Sequence, residues 1–501
     1  MISSFYLPGD NSVFCGKSTE SEAVYIKPRQ RIMHTQVIGT TNSGKTESVI
    51  LSWAIQDIAQ GRGLLLIDGK ADRDLLDKLW AYTVKSGREN DFRLFSIGSI
   101  GQSQTFNPLV GGSAEEITER IFSAFTFENP FYRSLQYEVL AQALRIFEAA
   151  CEIPTFLKLH QAISNPSHLE RLCERSRIPS LYAWVMNFKN LSGADRDQRT
   201  SGLTSQISHF AFGRSSVLFN SVKPAINIDE ALKSNQIVYF QLPVLLSPFL
   251  GAATGKLVLQ SLQSAIANRH RGSSREQRQF FSVFLDDFSE YLYPGFVSVL
   301  NKSRSANIGV VFAHQALGDI QSLGDSVANS ILTNSNLKVF MRGNDPDSTE
   351  YFSKVIGTSK TIKYTERTKT GFFTKENTGD SSAREVEEFI IHPNKFKKEL
   401  GVGEADAVDR IKQLFRDREL VEVEVVRLAV EVRDGAVDGE ARAIQHSRLH
   451  AHAQDCAVAI DDGDDGVAAG RDTGGALEQD LDLGRGQQLL ATHRYHRPGH
   501  E

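Results

Sequence analysis

Residues 39–46 read Gly39-Thr40-Thr41-Asn42-Ser43-Gly44-Lys45-Thr46 and satisfy the pattern G-x-x-x-x-G-K-[ST] at every fixed position. In such a loop the glycines let backbone N–H groups close around phosphate oxygens. Lys45 adds a point charge and the Thr46 hydroxyl offers an oxygen ligand to Mg²⁺. The chemistry implied is capture of a nucleoside triphosphate. Hydrolysis needs further groups. The run Phe280 to Leu285 ends in Asp286-Asp287, two carboxylates at the end of an apolar stretch. The first suits the Mg²⁺ site, and the second suits a base that activates or orients the attacking water. The run Ile308 to Ala313 leads into His314-Gln315. An amide at that end of a strand can sense a terminal phosphate. Arg304, before this run, and Arg342, after the run Leu337 to Met341, are cations able to reach a phosphate across a subunit boundary and stabilise developing charge.

These residues must be positioned by regular elements, and the pattern supplies them. The β-branched pair Val37-Ile38 enters the loop, and the helical stripe Ile50/Leu51, Ala54/Ile55, Ile58 leaves it, with Gly61 as a stop. Gly63 to Asp68 is a continuous apolar run, as expected of a strand covered on both faces. A helical pattern over Leu75 to Val84 and a short strand over Phe92 to Ile97 follow. This alternation predicts a doubly wound α/β core with a mostly parallel sheet. From 113 to about 230 strand-like runs are scarce. Ala114 to Phe125, Leu135 to Ala150 and Leu181 to Phe188 show helical spacing instead, which predicts an inserted all-α domain. The stripe Val139, Leu140, Ala143, Leu144, Phe147 reads as core. Strand runs resume at Ile237, and Lys360 to Lys375 reads as a hairpin or a flexible β-rich excursion. The expected division is 1–112 and 232–405 for the nucleotide-binding domain, 113–231 for the insertion and 406–501 for a disordered, low-complexity tail.

Composition narrows the class. The chain has 501 residues, a net charge of -5, and apolar and charged fractions of 41% and 23%. This is the make-up of a globular protein with room for several domains. No overall basic field exists, so nucleic-acid contact would need local patches, for which Arg269 to Arg278 and Lys360 to Lys375 are candidates. Residues 1 to about 33 read as a lead-in with the basic stretch Lys27 to Arg31. Cys15, Cys151, Cys173 and Cys456 lack metal-ligand spacing and read as reduced thiols. The apolar stretch Ile237 to Ala253 is interrupted by Gln241, Pro243, Ser247 and Pro248, so no transmembrane helix is expected. After Lys412 lysine disappears and Asp, Ala, Gly, Arg and His dominate. So abrupt a change is of the kind a shifted reading frame produces, and disorder is expected from about residue 433.

Together the phosphate loop, Leu66 to Lys70, Phe106 to Leu109, Leu285 to Phe288, Arg304 with Gln315, Thr333 to Phe340, Asp345-Pro346 and Ser353 to Gly357 resemble the type IV coupling proteins of conjugation and type IV secretion, the TraD/TraG-like branch of the FtsK/HerA superfamily. The resemblance covers about residues 30 to 405. It implies a RecA-like motor domain binding ATP and Mg²⁺, a homo-hexameric ring, and a cytoplasmic place at the inner face of the membrane. Implied partners are DNA or a relaxosome nucleoprotein, secretion-channel components and a membrane-anchored protein. It also implies ATP-driven transfer of DNA into the channel. A nucleotide-gated receptor for secreted proteins and a cytosolic DNA pump are the alternatives. Carried over, Lys45 and Thr46 bind phosphates and Mg²⁺, Asp286 belongs to the Mg²⁺ site, Asp287 is the base, Gln315 the sensor and Arg304 the arginine finger. The family usually has Asp-Glu where this chain has Asp286-Asp287; one methylene fewer moves the carboxylate from the best position for water.

Overall fold

The computed structural model describes residues 11–18, 21–127, 129–272, 274, 277–370, 375–409 and 426–427. The expected tail, with Cys456, lies outside the described residues beyond 409, apart from two residues.

Thirteen strands are described: β1 (Val13–Ser18), β2 (Ala23–Ile26), β3 (Thr35–Ile38), β4 (Gly63–Asp68), β5 (Phe92–Ser96), β6 (Ile237–Gln241), β7 (Phe281–Asp286), β8 (Ile308–His314), β9 (Leu337–Met341), β10 (Thr358–Thr370), β11 (Lys375–Phe389), β12 (Ala405–Asp409) and β13 (Val426–Arg427). Eight of them form the central sheet in the order β12-β9-β3-β8-β7-β4-β6-β5. Seven are parallel, and β12 adds an antiparallel edge against β9. The ordered sheet therefore runs past 405, where the composition begins to change. Strands β7 and β8 arrive from far downstream and insert between β3 and β4, so the loop after β3 and the residues ending β7 and β8 share one edge of the sheet.

Alternation decides which face each residue serves. On β4, Leu64 and Leu66 join Val37, Tyr239, Phe284 and Val339 beneath the helix Ser52–Ala59 and the helix Arg73–Lys85. Leu65 and Ile67 join Phe240, Leu285 and Phe312 on the other face. That second core continues into the helices between β5 and β6, among them Ala114–Ala124, Pro130–Ala149 and Gly193–Ala211. Val139, Leu140, Ala143, Leu144 and Phe147 are all buried there. A parallel sheet needs both faces covered, and burying each large apolar side chain stabilises by about 1.5–3 kcal/mol. Strands β10 and β11 pair as a hairpin that extends beyond 360–375, with Thr358 opposite Phe389. Among the described residues no helix is long and apolar enough to cross a membrane.

The lead-in is more structured than its sequence suggests. β1 and β2 form a hairpin, and the Gln56 amide donates to the Phe14 carbonyl and accepts from its N–H, tying it to the helix Ser52–Ala59. Arg31, the last residue of the basic stretch, is buried. Its guanidinium grips Asp57 in a two-pronged pair at 2.7 and 2.8 Å, while Arg62 reaches the same carboxylate at 3.0 Å and the Ser282 hydroxyl donates to it at 2.6 Å. Burial pushes the Asp57 carboxyl up, but the two guanidiniums and Ser282 outweigh it and hold the carboxyl below the usual range. This cluster joins the lead-in, the helix after the phosphate loop and β7. Asp57→Ala strands two buried cations and is expected to cost about 3–5 kcal/mol in urea unfolding; a loss under 1 kcal/mol contradicts that account.

His34 is also buried, its Nδ1 accepting from the Val310 N–H at 3.3 Å and its Nε2–H donating to the Leu300 carbonyl at 2.8 Å. Burial lowers its pKa to about 4, with Arg304 adding to the effect. The folded pKa lies below the unfolded one, so the stabilisation is complete above about pH 6.5 and drains away as the pH falls toward 4. Urea midpoints are expected to fall between pH 7.5 and pH 5, with His34 alone contributing about 2 kcal/mol. A midpoint constant over that interval refutes it.

Candidate active site

β3 ends at Ile38 and the chain folds back at the carboxyl edge of the sheet. Asn42 and Gly44 adopt positive φ, 60° and 98°, in the tight loop. The loop is pinned from three sides. The Gly39 N–H donates to the His314 carbonyl at 3.3 Å, and the Thr40 N–H donates to the Arg342 carbonyl at 2.9 Å. The Gly403 N–H donates to the Ser43 carbonyl at 2.9 Å. Beyond the loop, residues Lys45–Leu51 wind as a wider, π-type helix before the regular helix begins at Ser52.

Lys45 is buried and its ammonium donates to the carbonyls of Gly39 at 2.6 Å and Thr40 at 3.0 Å, so its charge lies inside the loop. Burial lowers its pKa, against the pull of Asp286. The Thr46 hydroxyl donates to Asp286 Oδ2 at 2.7 Å. Asp286 ends β7, and burial, reinforced by the charge of Asp287, pushes its carboxyl up to about 6 against the opposing Thr46 hydrogen bond. Such a carboxylate gains from a positive partner. Asp287 follows in a left-handed conformation, φ 46°, its N–H donating to Asp286 Oδ1 at 3.1 Å. Its carboxylate pairs with Lys70 at 2.9 Å. The Thr41 hydroxyl donates to Gln315 Oε1 at 3.3 Å, bringing the end of β8 to the loop.

Residues Gly39 to Thr46, Asp286, Asp287 and Gln315 thus converge at one edge. Arg304 does not join them. It is exposed in the short turn Arg304–Ala306 ahead of β8, about 20 Å of strand away from Gln315. Arg342 lies within the chain's own loop surroundings, half-buried, with its carbonyl holding Thr40.

Three participants were not assigned from the sequence. Asp68 ends β4 beside β7, and Lys70 lies in the turn that follows. The Asp68 carboxylate accepts from the N–H groups of Lys70, Ala71 and Asp72 and from the Tyr239 hydroxyl at 2.8 Å, fixing the turn that presents Lys70. The signal was an Asp closing an apolar run, the same as at Asp286. Gly403 left no signal, because its role is a backbone approach between distant segments. A Cβ on Gly44 would lie 3.0 Å from the Gly403 nitrogen, in addition to the left-handed strain. Gly44→Ala is therefore expected to cost about 1–3 kcal/mol and to speed amide exchange at Gly403; unchanged exchange there contradicts the contact.

The family described as the TraM recognition site of TraD and TraG matches residues 281–398. The type 4 coupling protein DotL of Legionella pneumophila subsp. pneumophila (strain Philadelphia 1) is 24% identical over 390 residues, covering 66% of this chain. The chain spans half the length of that relative, 50%. The fold is similar to the bacterial conjugative coupling protein TrwBdeltaN70 in its unbound form, with TM-score 0.58 and 12% identity over 77% of this chain and 84% of that one. It is also similar to the plasmid coupling protein TrwB in complex with ADP and Mg²⁺, with TM-score 0.56 and 14% identity over 77% and 84%. The segment matched by the TraD/TraG family contains Asp286, Asp287, Arg304 and Gln315, and the phosphate loop lies at the edge that Asp286, Asp287 and Gln315 share; in these respects the chain is similar to the type IV coupling proteins.

Proposed function

We propose that the chain is an ATP-hydrolysing coupling motor that recruits DNA or a nucleoprotein and drives it into a type IV secretion or conjugation channel. The observation that carries the reading is the Thr46–Asp286 contact at 2.7 Å beside the buried Lys45 ammonium. A hydroxyl and a carboxylate with hard oxygen donors suit Mg²⁺, and the neighbouring loop amides suit phosphate oxygens. Thr46 and Asp286 hold Mg²⁺, which when bound neutralises charge on the phosphates. Gly39, Thr40, Thr41, Asn42, Ser43 and Gly44 cradle the phosphates, with Lys45 as the fixed positive charge. Asp287 orients or deprotonates the attacking water, and Lys70 holds its carboxylate in place through their ion pair. Gln315 bonds the terminal phosphate through the side chain that now meets Thr41.

Arg304 serves a neighbouring subunit's site in this proposal, since it is exposed and far from its own loop. That requires a homo-hexameric or similar ring with the chain at the cytoplasmic face of the membrane, docked on a membrane-anchored partner and on channel components. One observation favours the second reading, a nucleotide-gated receptor for secreted proteins. Lys360 pairs with Glu385 and Lys363 with Glu388, and Arg278 donates to the carbonyls of Ser305 and His270. These cations of the proposed DNA patches are thus engaged within the fold.

ATP turnover by the full chain, with and without DNA, tests both readings. Lys45→Ala is expected to lower turnover by about 100-fold or more, and DNA is expected to stimulate the parent with steep salt dependence. Parental turnover in Lys45→Ala overturns the site, whereas Lys45-dependent turnover indifferent to DNA and salt selects the receptor.

A further inference from the structure

Beneath the phosphate loop a row of polar side chains crosses three adjacent strands of an otherwise apolar core. Lys338 on β9 is the direct register partner of Gln36 on β3, and His314 on β8 stands two residues beyond Gln36's partner, Phe312. Lys338, Gln36 and His314 are 2%, 0% and 1% exposed. Val37, Val339 and Ala313 point to the helix that leaves the loop, so the three polar residues alternate onto the opposite face.

The row has one direction. The Lys338 ammonium donates to Gln36 Oε1 at 3.0 Å, as well as to the Leu332 carbonyl at 3.0 Å and the Ser335 hydroxyl at 3.3 Å. An ammonium has only donors, so it fixes which end of the Gln36 amide faces it. Gln36 Nε2 then faces His314 Nε2 at 3.0 Å, which makes that ring nitrogen an acceptor and leaves the proton on Nδ1. Nδ1–H donates to the Ala316 carbonyl at 2.8 Å. The row ends on the turn that carries Gln315. There the N–H groups of Gln315 and Ala316 donate to Asp319 Oδ2 at 2.8 and 3.1 Å, and the Gln315 side chain meets Thr41.

Polar groups at such depth are costly unless each is satisfied, and apolar residues at these positions would give a more stable sheet. The row therefore has a use beyond stability. We infer that Lys338, Gln36 and His314 are positioning residues that lock the Gln315–Ala316 turn against the phosphate loop and tie it to the helix end at Leu332–Ser335, an inference resting on the sensor role proposed for Gln315. Burial lowers the His314 pKa to about 4, in keeping with the neutral ring the row demands.

Imidazole ¹⁵N NMR on the full chain without nucleotide reads the row independently of turnover. The Nδ1–H tautomer of His314 is expected, and Nε2–H overturns the inference. Gln36→Glu keeps the Lys338 pair but sets a carboxylate opposite His314 Nε2 while the Ala316 carbonyl still accepts from Nδ1–H, so it is expected to add a proton at Nε2 and give the imidazolium; a ring with the parental ¹⁵N signature also overturns it. In Gln36→Leu and Lys338→Met, kcat for ATP is expected to fall about tenfold with KM within about twofold. Parental kcat in these variants, once folded, rejects the positioning role. If the parent shows no Lys45-dependent turnover, the proposed function fails and hydrogen exchange at Gln315 and Ala316 decides instead. Exchange about tenfold faster in Gln36→Leu upholds the lock, and parental rates overturn it.

Discussion

The hydrogen bond from Thr46 to Asp286 spans 2.7 Å in space and 240 residues of chain. Everything proposed for this protein depends on the constraint that produces it. β7 and β8 must lie between β3 and β4, all parallel, so that four strand ends open onto one edge. Parallel neighbours need crossover segments, which places helices over both faces and permits the helical segments between β5 and β6 to pack on the sheet without disturbing the edge. The two apolar faces stabilise this order, and the order brings the loop, the carboxylates and the amide together.

The sheet also carries charge where an apolar core alone would be more stable. Asp57 with Arg31 and Arg62 joins three segments on one face, and Lys338, Gln36 and His314 cross three strands on the other. In both, nearly every donor and acceptor is matched, Arg31 Nε being the exception. Matched networks cost little in place and much when broken, so they favour one strand register over its neighbours. The edge needs that accuracy. A shift of one residue in β8 would reverse its alternation and turn Gln315 away from Thr41.

At the edge itself, positive and negative groups are held at short range. Lys45 lies within its loop, Lys70 on Asp287, and Asp286 between Thr46 and Asp287. An Asp286 carboxyl raised by burial and by a like charge gains from a divalent cation, while Lys45 faces the loop rather than solvent. The arrangement is thus set up electrostatically before any phosphate binds.

By itself the sequence determined the loop, the parallel strand runs, the carboxylates closing β7 and the amide after β8. Each is local: fixed spacing, alternation or an apolar run with a polar end. Only the tertiary structure decided that Lys70 pairs with Asp287, that Gly403 lies against Ser43, that Arg31 is buried, and that Arg304 stands at the far end of β8. It also added β12, whose Ala-Asp-Ala-Val-Asp sequence looks polar when read alone but forms the antiparallel edge of the sheet beside β9, two places from β3. These features depend on which distant strands become adjacent. Adjacency is settled by the packing of whole faces, and no short stretch of residues carries that information.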